Sequence, residues 1–181
     1  MRLERHKTGI DVIISSKKNY FNIIFLTAWL GGWTVGGFFA WGKFFSGLSD
    51  SIDMSEAFIG FWLIGWLAGE LMVSATLAWM LGGIEKISIT SSQFTIRREI
   101  FGIGYAMCCQ SQDITGISYT SESLVKNRRG ISMPMFGADG NVSIRVKGKT
   151  FRFGAELDEF EAKELAEAFL ASGYLPKATL V

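Results

Sequence analysis

The sequence predicts a two-part protein: a membrane α-helical hairpin of two transmembrane helices, followed by a small α+β domain on the cytoplasmic side. Three observations lead there. Two long stretches are almost free of charge, the apolar period changes to two after residue 83, and Lys and Arg cluster outside the apolar stretches rather than between them.

The helices come first. Tyr20 to Gly42 has no charged residue, and Ala57 to Gly83 has one, Glu70. Each run exceeds the ~20 residues that a helix needs to cross a bilayer core. A signal peptide would have a shorter leader than this one, and FFAWGKFF lacks a small-x-small cleavage site. The first run therefore reads as a retained anchor. Arg2, Arg5, Lys7, Lys17 and Lys18 precede it, and Lys86, Arg97 and Arg98 follow the second run. The connecting segment has Lys43 against Asp50, Asp53 and Glu56. By the positive-inside rule both termini are expected on the cytoplasmic side of a membrane crossed twice.

The two spans repeat each other. Trp29-Leu30-Gly31-Gly32-Trp33-Thr34-Val35-Gly36 aligns with Trp62-Leu63-Ile64-Gly65-Trp66-Leu67-Ala68-Gly69, so W-L-x-G-W-x-x-G recurs in helices that run in opposite directions. This is a small inverted repeat. Gly32 and Gly36, like Gly65 and Gly69, are four apart, a spacing that lets helix backbones approach in lipid. With Trp29, Trp33, Trp62 and Trp66 they are the candidate residues for helix packing or partner docking. Glu70 lies near mid-span, where a charge costs at least ~2.5 kcal/mol on insertion scales. No Lys or Arg lies deep in either span, so Thr34, Ser74 or an indole N–H of Trp33 or Trp66 is the expected donor to it.

After Gly83, Ile84, Ile87 and Ile89 open a strand, Ser91-Ser92 turns it, and Phe94 to Arg98 alternates back. Further strands are expected at 105–110, 114–119, 131–136, 142–146 and 150–153, with Lys147-Gly148-Lys149 as a tight turn. Ile10 to Ile14 is a β-prone run that either lies on the membrane surface or joins this sheet. Asp158 with Glu161 forms a capping-box pair, and Ala162, Leu165, Ala166 and Phe169 make the apolar stripe of a final helix that Gly173 and Pro176 end. The expected divisions are 1–19, a cytoplasmic N-terminal segment; 20–83, the hairpin with spans near 20–42 and 57–82; 84–176, the β domain with its helix; and 177–181, a tail.

Seven short antiparallel strands and a closing helix resemble the order of a pleckstrin-homology (PH)-like barrel. The basic start, Lys18-Asn19-Tyr20-Phe21 at the entry to the first span, and the W-L-x-G-W repeat resemble a group of small, uncharacterised bacterial membrane proteins with a PH-like cytosolic domain. In layout alone the chain is also similar to the photosystem I assembly factor. The resemblance implies an architecture and transfers no catalytic residue. PH-like domains that bind phosphoinositides use a basic loop between their first two strands; Ser91-Ser92, in that place by this count, is not basic. Lys126, Arg128 and Arg129 are instead the candidate contacts for anionic lipid headgroups.

Composition narrows the function. A net charge of +1 with no basic stripe argues against nucleic acid. His6 is the only histidine and Cys108-Cys109 the only cysteines, an adjacent pair, so no metal or other cofactor is expected. Asn141-Val142-Ser143 matches a glycosylation acceptor, but its cytoplasmic placement makes that a chance match. No G-x-S-x-G or P-loop occurs, and no enzyme is expected. The leading expectation is a membrane-anchored accessory or assembly subunit, partnered by the bilayer and by a membrane protein complex or a second copy. The alternative is a small transport or proton-coupled subunit acting through Glu70 in an oligomer.

Overall fold

The computed structural model describes residues 1–47, 54–119, 140–175 and 178–180. They form two units, one of residues 1–17 and 82–181, the other of 18–81.

The second unit is a pair of helices, α1 (Tyr20–Gly47) and α2 (Met54–Gly82). Both are longer than the sequence suggests, because nothing at Gly42 stops α1. Lys43 and Phe44 to Ser46 continue it, and a single lysine near a helix end does not break the backbone pattern. Asn19 caps α1, its Oδ1 accepting from the Asn22 N–H at 3.2 Å. Thr27, Thr34 and Thr76 donate to carbonyls four residues back at 2.7–2.9 Å, which keeps their hydroxyls satisfied inside an apolar helix. Both helices are long and apolar enough to cross a membrane, and only 6% of each apolar window is buried. A soluble core helix would be mostly covered.

The first unit holds two sheets and a helix. One sheet is an antiparallel meander of five strands in chain order: β1 (Arg2–His6), β2 (Gly9–Ser15), β3 (Gly83–Thr90), β4 (Gln93–Ile100) and β5 (Ile103–Gln110). The other contains β6 (Ile114–Tyr119), β7 (Val142–Val146), β8 (Lys149–Phe153) and β9 (Thr179–Leu180), ordered β8-β7-β6-β9, with β9 parallel to β6. The 310 turn Ser111–Asp113 carries the chain between sheets. Ser111 is buried there, its Oγ donating to the Thr90 carbonyl at 2.8 Å and its N–H to the Ser92 carbonyl at 3.2 Å. Among the described residues the strands form two sheets that are not closed into a barrel.

The helical hairpin interrupts the first sheet between neighbours. β2 pairs with β3 from Gly9↔Thr90 to Ser15↔Ile84, and everything between them is inserted. Ile10 to Ile14 therefore joins the sheet, as do residues 2–6, which carry no alternating apolar pattern to announce a strand. The loop between the first two strands is consequently Lys7-Thr8, which is basic, and not Ser91-Ser92, which joins the third and fourth.

The core lies where the sheets meet α3 (Glu159–Ala171). Val12, Ile87, Ile89 and Phe94 enter from the first sheet, Ile117, Ile144 and Phe153 from the second, and Leu165 and Phe169 from the helix. The Phe94 ring meets Phe169 edge-on at 6.0 Å and Phe153 at 5.9 Å. Full burial of such side chains is worth roughly 1.5–3 kcal/mol each. Asp158 accepts from the Glu161 N–H at 2.8 Å while Glu161 accepts from the Asp158 N–H at 3.2 Å, completing the capping box, and Ala162, Leu165, Ala166 and Phe169 are all buried. The strand expected at 131–136 and Pro176 lie outside the described residues.

Candidate functional site

Within the helical unit the repeat comes together about a tryptophan ladder. Trp29 contacts Trp33 at 4.2 Å between ring centroids, Trp33 contacts Trp66 at 4.5 Å, and Trp66 contacts Trp62 at 4.6 Å. Each central ring packs over the glycine of the other copy. A Cβ at Gly36 would touch the Trp66 ring at 3.4 Å, and one at Gly69 the Trp33 ring at 3.6 Å. Gly36 and Gly69 thus give up their side chains to the opposite indole. Gly32 and Gly65 do not share that role, since a Cβ at either meets nothing within 4 Å.

The two copies also differ just after the second glycine. The offset of 33 that matches Gly36 to Gly69 also matches Gly37, the one buried residue of α1, to Glu70. Its partner is Thr34, whose Oγ1 lies 2.5 Å from Glu70 Oε1. Both are central: Thr34 is fourteen residues after Tyr20 and thirteen before Gly47, and Glu70 sixteen after Met54 and twelve before Gly82. Thr34 Oγ1 also lies 2.9 Å from the Leu30 carbonyl, so one hydroxyl faces two acceptor oxygens. The buried indole nitrogens of Trp33 and Trp66 have no hydrogen-bond partner among the described residues. Toward the connecting loop, an apolar groove of about 470 Å³ is lined by Phe44, Phe58, Trp62 and Lys43 among others.

The domain unit holds a second polar centre that sequence reasoning missed. Glu85 on β3 and Arg98 on β4 are both buried, with Arg98 Nε and Nη2 at 2.8 and 2.7 Å from Glu85 Oε1. Glu85 Oε2 accepts from the Gly154 N–H at 2.7 Å, and Arg98 Nη2 donates to the Arg152 carbonyl at 2.9 Å. Gly154 and Arg152 lie at the end of β8, so the pair ties one sheet to the other. Arg98 Nη1 donates to the Tyr105 hydroxyl at 3.2 Å. Burial pushes the Glu85 carboxyl above its ordinary range against the opposing pull of Arg98. Burial also opposes the Arg98 charge, but Glu85 and Tyr105 together outweigh it and hold the guanidinium above its usual value. A turn of two residues at Ser91-Ser92 puts 85 opposite 98 in a hairpin, so the pairing was available from register alone.

The other candidates do not assemble. Burial, with Asp113 adding to it, raises the Cys109 thiol, and the exposed Cys108 accepts from Thr95 Oγ1 at 3.6 Å. His6 Nε2 sits 3.5 Å from Asp11 and 3.9 Å from Glu4 on the surface. Among the described residues no group of three or more His, Cys, Asp or Glu could hold a metal ion. Lys126, Arg128 and Arg129 lie outside the described residues. Comparison with family models, curated proteins and solved structures finds no match.

Proposed function

We propose that the chain is a membrane-anchored accessory or assembly subunit. The helical hairpin crosses the bacterial inner membrane twice and carries a PH-like domain on the cytoplasmic face, available to a protein partner or the membrane surface. One observation supports the topology most directly: β2 and β3 flank the hairpin in sequence and pair in a single sheet. A sheet cannot be divided by a bilayer, so the number of crossings is even, and the basic residues on both flanks select the cytoplasm.

The docking role rests on what the crossing leaves free. Gly36 and Gly69 are occupied by indoles, whereas Gly32 and Gly65 open outward. In lipid, helices associate through close packing and polar contacts, and an open small-residue position suits a partner helix. Glu70 acts as internal glue in this reading. At Thr34 one hydroxyl lies between two acceptor oxygens, those of Leu30 and Glu70. A translocation relay needs several such groups in series, and Thr34 is the one hydrogen-bonding partner of Glu70 among the described residues.

Detergent size-exclusion of the purified protein with its co-purifying subunits tests this. Gly65→Leu should leave the hairpin folded yet release the partner or second copy, and Glu70→Gln should retain both. An unchanged assembly in Gly32→Leu and Gly65→Leu sinks the docking role. Collapse of function in Glu70→Gln with the assembly intact transfers the case to proton coupling.

A further inference from the structure

One end of the five-stranded sheet is where the chain leaves for the helices and returns. The Ser16 N–H donates to the Gly83 carbonyl at 3.0 Å, and β3 starts at Gly83 directly after α2 ends at Gly82. The β4–β5 turn lies at this same end. The Phe101 N–H donates to the Gly82 carbonyl at 3.2 Å, and the Phe101 ring covers the Gly82 Cα so closely that a Cβ there would collide with it.

This turn is apolar and uncovered. Phe101 is 70% exposed, and Ile103 at 83% exceeds even Phe21 and Phe38 on the apolar helices, at 77% each. The turn is also strained for its sequence, since Phe101 has φ +50° and Gly102 φ +85°. A two-residue turn of this kind favours Asn, Asp or Gly at its first position. The β7–β8 turn has the same backbone, with Lys147 at φ +49° and Gly148 at +80°, and puts a lysine where this one puts phenylalanine. The hairpin geometry alone therefore does not call for an aromatic. A bulky residue held in a disfavoured conformation with its ring in water marks a place where the environment compensates.

We infer that Phe101, Gly102 and Ile103 form a third membrane contact, a hairpin tip that inserts at the boundary between headgroups and acyl chains. The inference rests on the reading that α1 and α2 span the bilayer. The last residue of a spanning helix lies at headgroup level, and Phe101 is one hydrogen bond from it. Phe and other large apolar side chains of membrane-surface segments bury at that boundary, and Lys17, beside Ser16, supplies the basic residue that anionic headgroups attract. The tip holds the domain against the lipid surface through contacts that the two covalent connections do not provide.

The test is nitroxide accessibility in nanodiscs of mixed neutral and anionic phospholipid, using the full chain with Cys108→Ser and Cys109→Ser. Single labels at 101, at 147 and at 39 on α1 are compared for collision with oxygen, which partitions into lipid, and with a water-soluble nickel chelate. The label at 101 should favour oxygen over nickel several-fold, like 39, while 147 shows the reverse. Nickel access at 101 with lipid exposure at 39 overturns the tip contact and leaves the spanning reading intact. Nickel access at both overturns both. Exclusion of both reagents at 101 means that protein covers the tip, and overturns the lipid assignment. Phe101→Asn relieves the backbone and should keep or raise the unfolding temperature of the domain. With Ile103→Asn as well, a label at Gln110 on the same strand should gain mobility, which a purely structural tip would not produce.

Discussion

The two units satisfy an acidic side chain in different ways. In the helical unit, Glu70 leans on a single hydroxyl at 2.5 Å, and the helices hold each other through indoles seated on glycines. In the domain, Glu85 and Arg98 share a guanidinium–carboxylate contact and take two further bonds from the backbone of the opposite sheet. Water on the outside makes an isolated charge in the domain core very costly, so the pair is fully enclosed and cross-linked. On the proposed reading that the helices span a bilayer, lipid offers no hydrophobic drive between them, so packing shape holds them and polar bonds add little each. The comparison teaches that equal-looking acidic residues in one chain can rest on very different sets of partners.

The largest test of that contrast is to separate the units. Ser16 and Gly83 continue the β2–β3 register, so replacing residues 17–82 by Asn-Gly makes a two-residue hairpin. The resulting chain should be soluble and show the circular dichroism of two sheets with one helix; a disordered spectrum would mean that the domain needs the membrane hairpin. A chain starting at 84 lacks β1 and β2, exposes Ile87 and Ile89, and should fold poorly in the same assay.

Next in size is Arg98→Met, which leaves Glu85 buried without its counter-charge and should destabilise the domain by about 3–5 kcal/mol in urea titration. Replacing both, as Glu85→Leu with Arg98→Met, should recover most of that loss. Recovery of none would show that the backbone bonds to Gly154 and Arg152 are the larger part.

Smaller again is the helical unit. Gly69→Leu drives a side chain into the Trp33 ring and should weaken the hairpin by roughly 1–3 kcal/mol, as overpacking does. Thr34→Val should cost about 0.6 kcal/mol, the average of a hydrogen bond between helices in lipid. Steric trapping in bicelles measures both, and equal effects would mean that shape does not outweigh hydrogen bonding in holding the helices together.

The smallest effect is on pH. The hydrogen bond from Lys86, with Lys86 and Arg97 charges nearby, holds Glu99 below the usual carboxylate value. Its folded form binds a proton less readily than its unfolded form. The stability it adds is therefore present above the ordinary carboxylate range and is lost as pH falls through the folded value. Glu85, raised by burial, has the opposite sign, losing stability as pH rises from the ordinary value through its own. Glu99→Gln should flatten the acid limb of a stability–pH curve, and an unchanged limb would remove Glu99 from it.

Legibility followed the same division. The helices were readable because absence of charge over more than twenty residues is a loud signal, and Thr34 stood out as one of the few donors near Glu70. Asp158 and the stripe from Ala162 to Phe169 were readable because a capping box and a 3.6-residue period are local. Residues 2–6 were not, since Arg-Leu-Glu-Arg-His becomes a strand only by pairing with β2, and β9 only by lying beside β6. The separation of roles between Gly36 and Gly32 was also hidden, because identical spacing cannot tell which glycine meets an indole. The Glu85–Arg98 pair could be read from the register of one hairpin, but its bonds to Gly154 and Arg152 needed a strand far along the chain.

The pairing of β2 with β3 also orders events during synthesis. Ser15 and Ile84 are partners 69 residues apart, and Gly9 and Thr90 are 81 apart. The first two strands leave the ribosome with an apolar face, Ile10, Val12 and Ile14, that nothing can cover until both helices have been made. If only one helix enters the bilayer, the early strands and their partners end in different compartments and the core never closes. Such a chain presents unpaired strand edges and bare isoleucines to proteases, while a chain that crosses twice hides them. On the proposed reading that the helices cross the bilayer twice, completion of the sheet would act as a proofreading step on insertion, and a charge placed mid-way along α1 should shorten the half-life of the protein in a pulse-chase rather than merely shift its location.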